Sequence, residues 1–137
     1  MSSPAYNVAN LLATALIGNL GTDLWVNTDP GGTSLSIALY DTPGAAPSPK
    51  YARDFPNIQI IVSGPANDTA TAYSKAEEIK NYLLGITGQT IGTDIYFGFN
   101  MRSDIGYIGV TSENRPIFTM NWRFYIDHVN VGNRTSI

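Results

Sequence analysis

The sequence predicts an α+β fold: a mainly antiparallel twisted sheet with two helices packed on one face. Three observations carry this. Ile117–Ile126 alternates strictly, with Phe118, Met120, Trp122, Phe124 and Ile126 on one parity and Thr119, Asn121, Arg123 and Tyr125 on the other. That is the two-residue period of a strand with one apolar and one polar face. Two earlier segments instead repeat apolar residues at helical spacing. The strands of the last third follow one another through short connections, as in an antiparallel meander.

Taken in order, Ser3-Pro4 is a helix start, with Ser at the N-cap and Pro at the first helical position. Val8, Leu12, Leu16 and Leu20 recur at helical spacing, which predicts a helix over Pro4–Ile17, closed by Gly18 or Gly21. Asp23–Asn27 reads as a short strand, and the Asp-Pro-Gly-Gly within Thr28–Thr33 as a turn. Leu35–Tyr40 reads as a strand with Leu35, Ile37 and Leu39 on one face. Thr42–Phe55 carries Pro43, Pro47 and Pro49 and no periodicity, so it is expected to be a long loop. Its tip is either an arm that lies on a neighbour or a surface excursion.

Asn57–Ser63 puts Ile58, Ile60 and Val62 on one face. Asn67 or Asp68 caps a second helix, Thr69–Leu84, whose buried stripe is Ala72, Ala76, Ile79 and Leu83 and whose end is Gly85. Asp94–Met101 is expected as a strand with Ile95, Phe97, Phe99 and Met101 inward, Arg102–Asp104 as a turn, and Ile105–Thr111 as the returning strand. Ser112–Arg115 then turns into the long strand, where Pro116, lacking a donor, suits the first position. The polar stretch Val129–Ile137 reads as a flexible tail.

The 137 residues fit one domain, 1–137, large enough to bury a core without a metal or disulfide staple. The absence of cysteine removes disulfides, thiolate catalysis and Cys-based metal sites. A net charge of −3 with thinly spread Lys and Arg shows no basic patch of the kind a phosphate binder carries. No basic residue precedes Lys50, so the N-terminus lacks the charged region of a signal peptide, and the apolar Ala9–Gly18 is too short to span a bilayer. Charged residues make up 14%, against about 25% in ordinary domains, which fits either a surface covered by partners or a low-charge monomer with a Thr/Asn/Gly surface.

The search for chemistry returns little. No nucleophile elbow, phosphate loop or dinucleotide fingerprint occurs. His128, the sole histidine, adjoins Asp127, but neighbours on a strand face opposite ways, so it is expected to be an exposed strand-end residue. Glu77 and Glu78 lie on a solvated helix face, and Asp41 and Asp54 flank the proline-rich loop without a cation-ligand spacing. On the polar face of the long strand, Arg123 and Tyr125 alone set a cation beside an aromatic ring, too little for a nucleic-acid stacking platform. No catalytic residue, cofactor or metal is therefore expected.

Four segments, in order, carry a family resemblance: Val26-Asn27-Thr28 with Ser36–Gly44; Tyr51–Ile60; the helix Tyr73–Gly85; and Ser112–Trp122. Over roughly Asp23–Ile126 the chain resembles the tail terminator, or minor capsid (tail completion), proteins of long-tailed bacteriophages. The resemblance implies a structural virion protein rather than an enzyme. Such a protein forms a homo-oligomeric ring, a hexamer, on the head-proximal end of the tail. The ring caps the tail tube, ends its polymerisation and offers the head-joining surface. The implied partners are further copies of the chain, the tail tube protein and the head–tail connector proteins. DNA passes through the lumen without sequence-specific binding, no membrane is involved, and assembly takes place in the host cytoplasm. On that reading the subunit contacts fall on Lys50, Tyr51, Arg53 and Asp54 in the loop and on Arg102 and Arg115 in the hairpin turns. The alternatives are a head–tail connector ring and a small ligand-binding α+β domain.

Overall fold

A computed structural model describes residues 2–129 and residue 134. Eight elements follow one another: α1 (Pro4–Thr14), β1 (Leu24–Val26), β2 (Ser36–Ala45), β3 (Arg53–Ser63), α2 (Thr69–Leu84), β4 (Gln89–Ile91), β5 (Asp94–Val110) and β6 (Pro116–Asp127). The strands form one six-stranded sheet in the order β1-β2-β3-β6-β5-β4. Every neighbouring pair is antiparallel except β1 with β2. The expected α+β architecture is what the chain adopts.

β6 occupies the centre, between β3 and β5. Its alternation is realised in full: Phe118, Met120, Trp122, Phe124 and Ile126 are all buried, and Pro116 is its first residue. The register turns this alternation into rows across the sheet. Leu24, Ile37, Val62, Phe118 and Tyr107 are successive partners from β1 to β5, and Leu39, Ile60 and Met120 form the next row. Both helices lie on these rows. Ala5, Val8, Ala9 and Leu12 of α1 join Ala72, Ala76, Ile79 and Leu83 of α2 in a single core with them. The alanines let the helix backbones approach the sheet, and the bulky residues come from the strands. The helices are also tied together, since Lys75 Nζ donates to the carbonyl of Ile17 at 3.0 Å.

α2 has the expected bounds, capped by Asp68, whose carboxylate accepts from the Thr71 amide at 3.0 Å. α1 is shorter than its periodicity suggests. It ends at Thr14, and neither glycine closes it. Leu16 takes the left-handed conformation (φ 62°), its amide bonding Ala13 and the Ile17 amide bonding Leu12. This is a Schellman closure with leucine where glycine is usual. It turns Leu16 out to 88% exposure while Ile17 enters the core.

Two further expectations fail for one reason, the β-bulge. Thr42–Phe55 is not a loop: β2 runs on to Ala45 and β3 begins at Arg53, so the segment is the end of a hairpin with a short tip. The ladder shifts register between Thr42 and Ala45, and Pro43, which has no amide to donate, sits in that shift. A Cβ on Gly44 would stand 2.0 Å from the carbonyl oxygen of Phe55, so only glycine lets the two strands close there. Likewise Arg102–Asp104 is not a turn, because β5 is one 17-residue strand with four register shifts along β6. At the first shift Gly98 adopts φ 69°, which exchanges the faces, so Tyr96 and Phe99 are buried while Ile95 is exposed. The short strand β4 has no counterpart in the sequence reading. Of the tail, only Val129 and Arg134 fall among the described residues, and its expected flexibility lies outside them.

Candidate functional site

The six residues assigned to subunit contacts separate into three groups. Lys50 and Tyr51 lie at the tip of the β2–β3 hairpin, both exposed, with the ammonium of Lys50 5.1 Å from the Tyr51 ring centre. The tip is held by Ser48, whose hydroxyl accepts from the Tyr51 amide at 3.0 Å. Arg102 is exposed on β5. Arg53, Asp54 and Arg115 are engaged within the chain.

Arg53 makes a forked contact to Asp127, Nε to Oδ1 at 2.6 Å and Nη2 to Oδ2 at 3.0 Å, with its guanidinium 5.1 Å from the Phe97 ring centre. Phe97 in turn packs on Tyr125, which meets Phe55 edge-to-face at 5.6 Å between ring centres. Arg53 and this aromatic group therefore clasp the hairpin to β6 and β5 on the face away from the helices.

Asp54 lies half-buried, and burial opposes its ionisation. Hydrogen bonds from Arg134 (2.7 Å) and His128 (2.8 Å) outweigh that and hold its carboxyl below the usual carboxylate range. His128 is not the exposed residue the sequence suggests: it is 8% exposed, with Nε2 facing Asp54 and Nδ1 facing Asp94 at 3.0 Å. Its partners come from β3 and β5, the two strands flanking β6, and not from Asp127 beside it. Both ring nitrogens are thus held against a carboxylate, which fixes the plane of the imidazole.

These groups border a cleft of about 590 Å³ between the hairpin and the start of α1. Two of its other polar residues are also committed. Asp41 accepts from the Ala5 amide (2.9 Å) and from Asn27 (2.8 Å), and Asn7 donates to the Tyr96 hydroxyl at 2.8 Å. The cleft is a joint in which three strands and a helix start are bonded to one another.

Arg115 is the residue whose role sequence reasoning missed. It does stand in a turn, between β5 and β6, but it is 2% exposed. Its guanidinium donates to the carbonyls of Gly64 (3.0 Å), Ser34 and Ser63 (3.3 Å) and to the Ser36 hydroxyl (3.0 Å). It thereby ties the start of β2 and the end of β3 to the turn that opens β6. Sequence offers no signal for this, because every acceptor lies more than fifty residues away.

Comparisons with known proteins agree with this architecture. A family model described as "Bacteriophage tail terminator protein" matches residues 11–128. One solved structure superposes with a TM-score of 0.57 at 13% identity, covering 92% of this chain and 92% of its own, a likeness of fold alone. No curated protein matches.

Proposed function

The chain belongs to the bacteriophage tail terminator protein family, a family of structural phage tail proteins, and from that premise we propose that it assembles into a ring that caps the tail tube. The match across 11–128 is the observation that carries this reading, since it spans every strand, the whole of α2 and the last turn of α1. The ring, a hexamer, ends tube polymerisation at the head-proximal end and offers the surface that joins the head, with DNA passing through its lumen. Two features of the molecule support such a role. The hairpin and the sheet are braced by the Arg53, His128 and Arg115 clasps, which gives a rigid part. The exposed tip at Lys50 and Tyr51 and the β5 side with Arg102 remain for neighbours, with Arg53 and Asp54 shaping the hairpin that presents the tip. Arg115 acts from inside, by fixing the sheet.

A closed ring uses heterologous contacts that return on themselves, and charged groups across them set register more than affinity. Deleting the gene from its phage tests the assignment. Tails of uncontrolled length are expected. Tails of normal length that fail to attach to heads would move the protein to the connector ring.

A further inference from the structure

The whole net charge of the chain sits in residues 1–49. They contain Asp23, Asp29 and Asp41 and no lysine or arginine, and the other eight acidic residues are matched in number by the eight basic ones. The fold gathers these three carboxylates along one margin of the sheet. Asp23 precedes β1, Asp29 follows it, and Asp41 lies on β2 beside Asn27. None of the three makes an ion pair among the described residues; their partners are amides and Asn27. The same margin carries an apolar groove of about 490 Å³ between α1 and β1, lined by Tyr6, Leu20, Leu24, Trp25 and Val26.

The opposite margin is its complement. β4 covers β5 only from Asp94 to Tyr96, and among the described residues no strand lies beyond. Tyr107, Ile108 and Val110 stand out there at 57, 57 and 54% exposure. Arg102, on the same strand, makes no hydrogen bond or ion pair among the described residues, whereas the nearby Asp104 is already paired with Lys80 at 3.0 Å. Uncovered strand margins of this kind are ordinarily blunted or paired.

The two margins match at two points. The row Leu24–Ile37–Val62–Phe118–Tyr107 runs from the groove at one side to the apolar projection at the other. The row Asp41–Ile58–Trp122–Met101 runs from the acidic side to the residue preceding Arg102. A second copy placed beside the first, strands aligned, therefore brings apolar against apolar and cation against carboxylate together. We infer that the β5 margin of one copy seats on the β1 margin of the next, with Tyr107 and Val110, which share the face of their partners Phe118 and Pro116, in the groove and Arg102, on the face of Arg123 and Tyr125, facing Asp29. The contact rests on the ring reading above. It is led by side chains, because the bulges at Ser103/Gly106 and Tyr107/Gly109 break a long regular ladder. It is head-to-tail, so each copy offers one margin of each kind.

Two variants test it. Val110→Glu with Arg102→Glu blocks the β5 margin, and Tyr6→Arg with Asp29→Arg blocks the β1 margin. All four sites are exposed, and circular dichroism confirms that both variants fold. In native mass spectrometry, wild type is expected as a ring and each variant alone as a monomer. An equimolar mixture is expected to give one-to-one dimers and nothing larger, because only one good margin of each kind remains. Variants that still form rings, or a mixture that stays monomeric, overturn the margin contact while a wild-type ring leaves the family function standing. A wild type that never forms a ring overturns both.

Discussion

Replacing Arg115 by alanine is expected to unfold the molecule well before any surface change would. Its guanidinium serves three carbonyls and one hydroxyl at the junction of β2, β3 and the β5–β6 turn, with the contacts to Gly64, Ser63 and Ser36 buried and that to Ser34 part-buried. A buried acceptor left without its donor costs about 1–3 kcal/mol. Water entering the cavity recovers some of that, and removing a buried charge removes its desolvation cost. The net loss is then about 3 kcal/mol, a large share of the roughly 5–15 kcal/mol that holds a domain together. For a chain of this size that lowers the melting temperature by about 10 °C. Lysine, with a single ammonium in place of a planar fork, reaches fewer of the acceptors and should fall between. Thermal unfolding followed by near-ultraviolet circular dichroism reads both, with Trp122 as the reporter. An Arg115→Ala protein melting within about 2 °C of wild type would show that the junction is held by something else.

Gly44→Ala should cost several kcal/mol, since the added methyl meets the Phe55 carbonyl at 2.0 Å and the strands must separate; chemical denaturation measures it, and a loss under about 0.5 kcal/mol would refute the close approach. Asp54 has its carboxyl held below the ordinary value of 3.8, so its contribution is present above that pH and is lost as the pH falls through the lowered value. Acid titration should therefore loosen the hairpin below about pH 3.8 in wild type, and Asp54→Asn should flatten that part of the stability curve. A curve unchanged by the substitution would remove Asp54 from the clasp. Charge reversal at Arg53 should open the clasp on Asp127 and weaken ring formation; native mass spectra identical to wild type would contradict this.

What the sequence discloses of this molecule follows the regularity of its strands. β6 and α2 are legible because each keeps one period from end to end, so pattern and core coincide at Trp122 or at Ile79. β5 is not, because Gly98 and three further shifts change which parity faces inward, and a period-two reading cannot see a bulge. The same holds for β2 and β3, where Pro43 and Gly44 look like loop residues but sit in a strand irregularity. The site suffers from distance instead. Asp54, Asp94 and His128 meet only because β3, β6 and β5 are neighbours in the sheet, and Arg115 meets Ser34 and Ser63 for the same reason. The complementary margins are half visible: the charge bias of residues 1–49 is in the sequence, but its alignment with Arg102 needs the register.

Electron microscopy of the purified protein bears most directly on its role in the tail. Uniform rings with an open centre, forming alone or on the ends of tail tubes, are the predicted result. Single molecules at virion-like concentration, with tube ends present and absent, would contradict it.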